Sequence, residues 1–170
     1  MALLPPELKD LLPATFDVEE TMDMFPWSLD LDAYQLDRMV EYMTAYASRA
    51  GQSLIQEGDR GTYMGLILTG EVQILKEDSL GHNKVIAVLG PGKMIGEMGL
   101  IDGGPRSASA VACADTTLLV MTNVAFRQMT EEQPRLALRV MMTMAKIGSQ
   151  RLRQTSGKLI ELMPEPIAPP

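Results

Sequence analysis

Apolar positions along the chain follow two rhythms, and the change between them divides it. Leu31, Leu36, Met39 and Val40 share one side of a 3.6-residue period, which predicts a helix over about 32–41. Ser28-Leu29-Asp30 supplies its cap, and Trp27 just ahead reads as a packing anchor. From about 42 to 122 the period shortens. Residues 42–47, 53–56, 63–69, 71–76, 84–88, 94–95, 107–112 and 117–121 alternate or run apolar between cuts of Gly, Asp and Asn, and predict eight short strands. Ser79-Leu80-Gly81-His82-Asn83 reads as the turn of a hairpin. After Asn123, read as a cap, residues 124–130 predict a short helix. Pro134 then fits the first position of a long one reaching about Leu162.

The expected fold is mainly β with flanking helices. It is an eight-stranded jelly-roll β-barrel (a double-stranded β-helix) with an N-terminal helix, a short helix and a long C-terminal helix. Four parts follow: an N-terminal arm over 1–27, the β-roll with its flanking helices over 28–134, the long helix over 135–163 and a Pro-rich tail over 164–170. The arm sets Leu3, Leu4, Leu8, Leu11 and Leu12 among prolines and acids, and reads as an amphipathic turn or two packed on the domain or a partner. On the long helix Leu136, Val140, Met144 and Ile147 recur at helical spacing, as do Leu152, Leu159 and Leu162. A helix this long overhangs one small domain, so part of its methionine-rich, adaptable stripe is expected to meet a second copy. Gly148 and Gly157 each weaken the helix by about 1 kcal/mol and read as bending or close-contact points.

Composition adds bounds. With 170 residues, 46% hydrophobic and 22% charged, the chain can bury one core without disulfides. No apolar run reaches the length of a membrane span and no leader-like segment opens the chain, so a cytoplasmic protein without a membrane partner is expected. Cys113, the single cysteine, follows an apolar alternation and reads as core. The net charge of −7 argues against a nucleic-acid partner, which would require a basic face. His82, the one histidine, lies in the hairpin turn, so a metal-centred site lacks its ligand set. No nucleophile stands with a base. Binding rather than catalysis is expected, with no metal and no cofactor.

The chemistry concentrates in residues 96–110, Gly-Glu-Met-Gly-Leu-Ile-Asp-Gly-Gly-Pro-Arg-Ser-Ala-Ser-Ala. Glu97 and Arg106 stand among small and apolar residues, where unpaired burial costs several kcal/mol, so they expect each other or a ligand with complementary groups. Gly96, Glu97, Met98 and Gly99 start a turn whose successive N–H groups can form an anion nest. Arg106 adds a planar fork for two phosphate oxygens, and Ser107 a hydroxyl beside it. Glu97 would repel a phosphate, so its partner is a sugar hydroxyl, which donates to an ionised carboxylate. A phosphate beside a sugar hydroxyl describes a cyclic nucleotide. A structural Glu97–Arg106 ion pair in a ligand-free roll is the alternative.

Residues 96–112 resemble the phosphate-binding cassette of the cyclic-nucleotide-binding domain family, which includes bacterial catabolite-activator-type regulators, kinase regulatory subunits and nucleotide-gated channels. Both the Gly-Glu-Met-Gly-Leu opening and the Pro-Arg-Ser-Ala closing are present, and Glu57-Gly58-Asp59, the segment 66–72 and Leu89-Gly90-Pro91-Gly92 keep the family's order over roughly 28–160. The resemblance implies that Arg106, Ser107 and the amides near Glu97 and Met98 hold the phosphate, that Glu97 accepts from the ribose, and that Ile86, Ile95 and the long helix flank the base. Thr155 and Ser156 are similar in place to hydroxyls that catabolite-activator-type members present to adenine, one helical turn further along. In the family Thr after the Arg goes with guanine and Ala with adenine; Ser107 falls between, and cyclic AMP is the expected ligand, with cyclic GMP open. After Met163 no residues remain for a helix-turn-helix unit, so the reading is a sensor module that signals through an effector protein or as a homodimer through the long helix. A degenerate roll serving as a protein-interaction scaffold is the other reading.

Overall fold

Residues Tyr63–Thr69 are apolar at almost every position because both faces of this strand are covered. Tyr63 and Ile67 point between two sheets, while Met64, Leu66 and Leu68 point outward beneath helices. A computed structural model describes Leu8, residues 10–16 and residues 31–162. Its elements, in chain order, are β1 Leu12–Pro13, α1 Ala33–Val40, β2 Thr44–Ser48, β3 Ser53–Ile55, β4 Tyr63–Thr69, β5 Val72–Glu77 and β6 Asn83–Leu89. Then come β7 Met94–Ile95, α2 Glu97–Asp102, β8 Ser109–Ala112, β9 Thr116–Thr122, α3 Asn123–Glu132 and α4 Pro134–Leu162.

The strands form the two layers of the expected jelly roll. One sheet has the order β1-β2-β9-β4-β7 and the other β3-β8-β5-β6, with antiparallel pairing throughout. Between them lie Tyr46, Leu54, Ile55, Tyr63, Ile67, Val72, Ile95, Leu118 and Val120. On the outer face of the five-stranded sheet, Leu36, Met39 and Val40 of α1, Met129 of α3 and Leu136, Val140 and Met144 of α4 pack on Met64, Leu66, Leu119 and Met121. These three helices therefore cover the outer face of the five-stranded sheet.

Several expectations are corrected in detail. Asp32, rather than residues 28–30, caps α1: its carboxylate accepts from Gln35 N at 2.8 Å, and the Gln35 side chain closes the capping box. Residues 28–30 and Trp27 lie outside the described residues. The arm contributes β1, a strand the sequence reading missed because Pro13 obscured it, paired as Leu12↔Ala47 and Pro13↔Tyr46 at the sheet edge. Leu8 and Leu11 are buried between the sheets. Thr122, not Asn123, caps α3 by accepting from Ala125 N at 3.1 Å; Asn123 instead donates its side-chain amide to Gly61 O at 3.2 Å. Cys113 is exposed, not core, because β8 ends at Ala112 and the turn carries it outward. Gly148 and Gly157 are open sites on an uninterrupted helix, with no neighbour within 4 Å of a built Cβ, so neither is a close contact within this chain.

Candidate functional site

The cassette is assembled where β7 turns into the short helix α2. Gly96 caps that helix with φ 72°, and a Cβ there would lie 2.4 Å from Arg106 Nη1 and 3.1 Å from Tyr63 O. Only glycine fits both the backbone and the space. Gly61 and Gly99 meet backbone to backbone, since a Cβ on Gly61 would stand 2.8 Å from Gly99 Cα. This contact seats α2 against the turn before β4.

Arg106 sits just ahead of β8, with its backbone clamped on both sides: its N–H donates to Asp59 O at 2.7 Å and its carbonyl accepts from Gly58 N at 2.9 Å. The side chain is 4% exposed. Its Nη1 donates to Tyr63 O at 2.8 Å and to Gly96 O at 3.0 Å, and its Cζ lies 4.5 Å from the Tyr63 ring centroid. Among the described residues, Nε and Nη2 are buried with no hydrogen-bond partner. A guanidinium with two donors left unmade is expensive, and a bidentate anion is the ligand that satisfies it.

Glu97, 3% exposed, does not pair with Arg106. It receives Nη1 of Arg151, which arrives from α4 and whose Nη2 donates to Met94 O at 2.7 Å. The sequence reading did not anticipate Arg151; its one signal was a cation placed one turn before Thr155 on the same helix face. The second carboxylate oxygen of Glu97 has no hydrogen bond among the described residues. Ser107 is exposed, in the bend before β8 rather than in the strand, and its hydroxyl donates to Met98 Sδ at 3.5 Å. No side chain caps the N–H groups that open α2.

The structure thus brings Gly96, Glu97, Met98, Gly99, Arg106 and Ser107 together. Ile86 is 55% exposed on β6, the edge of its sheet, beside Val85 and Val88, and is open to a ligand. Ile95 is corrected: its side chain is sealed between the sheets, 3.4 Å from where a Gly65 Cβ would be, and offers no wall to a base. Thr155 and Ser156 are exposed on the far half of α4, and among the described residues neither makes a hydrogen bond to the cassette. Two surface hollows of about 460 and 510 Å3 lie elsewhere, along α4 and at the β2–β9 corner. Among the described residues, no group of His, Cys, Asp or Glu is placed to hold a metal, and no helix is long and apolar enough to cross a membrane.

Residues 47–133 match the family model described as the cyclic nucleotide-binding domain. The chain is 31% identical over 125 residues to the cyclic AMP receptor protein of Thermus thermophilus, covering 74% of this chain and 56% of that protein. It spans about half the length of the curated relatives it matches. Among solved structures, a cyclic nucleotide-binding domain from Methylobacillus flagellatus superposes with a TM-score of 0.83 at 30% identity, covering 96% of both chains. The regulatory domain of Toxoplasma gondii PKA, solved with cAMP, superposes with a TM-score of 0.60 at 26% identity, over 65% of this chain and 43% of that one.

Proposed function

Because the chain belongs to the cyclic nucleotide-binding domain family, we propose that it is a cytoplasmic cyclic AMP sensor that signals through an effector protein or a second copy of itself. The observation that carries this reading is Arg106: a buried guanidinium with Nε and Nη2 unpartnered, standing apart from the nearby buried carboxylate. In this account the cyclic phosphate takes those two donors, the Ser107 hydroxyl leaves Met98 for the phosphate, and the opening amides of α2 complete the cradle. The ribose 2′-hydroxyl donates to the Glu97 oxygen that Arg151 leaves open, while Ile86 faces the base. One carboxylate then meets the sugar and the long helix at once. Ligand occupancy is thereby coupled to the position of α4, to the extent that the two states differ in affinity.

Output through α4 is supported by its far half, where Leu152, Leu159 and Ile160 are exposed and leave an apolar stripe for a second copy or an effector. The choice of cyclic AMP over cyclic GMP rests on Ser107 standing where guanine-selective relatives carry Thr. A ligand-free scaffold is favoured by one observation: the unpartnered nitrogens of Arg106 are sealed from solvent. Calorimetry with each cyclic nucleotide separates the readings. The account expects saturable heat at one site per chain, larger affinity for cyclic AMP, and a sedimentation shift on binding; no heat with either nucleotide overturns it in favour of the scaffold.

A further inference from the structure

We propose that Lys76 is a positioning residue for the anion site: with Glu57 it pins the Ser107 carbonyl, and so the Ser107–Ala108 peptide, and holds Ser107 where its N–H and hydroxyl can meet a bound phosphate. This rests on the nucleotide-binding reading above. The β5–β8 ladder stops at the pair Leu75↔Ser109. One residue further, the Lys76 side chain takes over from the ladder, donating to Ser107 O at 2.9 Å and to the Glu57 carboxylate. Glu57 is itself fixed, its N–H donating to Ser109 Oγ at 2.9 Å and its Oε2 accepting from Glu77 N at 3.1 Å.

On the other side of Ser107, the Arg106 carbonyl accepts from Gly58 N at 2.9 Å. Carbonyl and following N–H point in opposite directions across a trans peptide, so the Ser107 N–H is turned away from the Gly58 turn. It has no hydrogen bond among the described residues. Both peptides flanking Ser107 are thus pinned by their carbonyls, the first by Gly58 N and the second by Lys76, and the Ser107 N–H, which belongs to the first, is left for a ligand. The ion pair itself is half-exposed, with 50% of the Lys76 side chain and 21% of the Glu57 side chain accessible, and such pairs add little to folding. Its effect belongs in ligand affinity.

The test is calorimetry with cyclic AMP on the full chain carrying Lys76→Met, Lys76→Arg, Glu57→Gln or Lys76→Met with Glu57→Gln. Affinity should fall about fivefold with Lys76→Met, return to within about twofold with Lys76→Arg, and fall no further in the double variant, as expected of one charge-assisted hydrogen bond at a half-exposed site. The melting temperature should move by less than about 2 °C. Lys76→Met binding as the wild type does, or Glu57→Gln binding more tightly because the ammonium acts on the phosphate itself, overturns the proposal. Should the wild type bind no cyclic AMP, the nucleotide reading fails separately. Hydrogen exchange over residues 105–109 of the ligand-free protein then decides alone: faster exchange in Lys76→Met upholds the positioning role and unchanged exchange overturns it.

Discussion

Two loops of this roll carry charge and glycine, and they treat the charge in opposite ways. In the β5–β6 turn, Asp78 accepts from Leu80 N at 2.9 Å and His82 N at 3.0 Å and lies 3.2 Å from Lys84 Nζ. The hydrogen bonds from His82 N and Leu80 N, with help from Lys84, hold its carboxyl below the ordinary range. Every demand of that loop is met within seven residues. In the cassette, Arg106 is buried with two donors unmade, and Glu97 finds its partner 54 residues away on α4. A loop whose charges are satisfied locally is a structural turn. One whose buried charges are left incomplete, or tied to a distant helix, is built around something else.

This contrast can be broken by substitution. Arg106→Met keeps bulk but removes the fork, and cyclic AMP affinity should fall at least about a hundredfold, roughly 3 kcal/mol, by calorimetry. Gly96→Ala forces a left-handed side chain into Arg106 and should cost about 2–3 kcal/mol in urea unfolding, whereas Gly81→Ala, with nothing closer than 3.8 Å, should cost only the backbone strain of about 1 kcal/mol. Arg151→Met leaves the Glu97 carboxylate, 3% exposed, without its cation; a loss of about 1–2 kcal/mol and faster hydrogen exchange along the far half of α4 are expected. Asp78→Asn should have the smallest effect, a slight loss of stability at neutral pH that disappears in acid. Because the folded carboxyl titrates below its unfolded value of 3.8, its contribution is present above that pH and lost as pH falls through the folded value. Asn should lower the neutral plateau slightly, flatten the acid limb of the stability profile and match the wild type once the Asp78 carboxyl is protonated.

Much of the fold was legible because β4 and β9 are buried on both faces, which makes short apolar runs, and because α1 and α4 each bury one stripe. The start of α4 could be read from Pro134, whose missing N–H costs nothing at a first helical position. The errors have a common physical origin. Asp32 and Thr122 displaced the expected caps because two candidates stood side by side in the chain, and only backbone geometry selects between them. Cys113 and Ile95 were misplaced because strand parity was set by a pairing that ends at Ala112, and by the register of β7 beside β4, which puts Ile95 opposite Gly65. In the cassette, residue types announced an anion beside a hydroxyl, but not where the carboxylate would turn. Arg151 is a long-range partner, and no local pattern specifies it.

The most direct test of the central claim reads the guanidinium itself. Nitrogen–proton spectra of the arginine side chains, assigned by loss of one signal in Arg106→Met, should show the Arg106 Nε–H moving far downfield and exchanging more slowly when cyclic AMP is added. An Arg106 Nε–H signal that stays in place while the nucleotide binds would contradict the account.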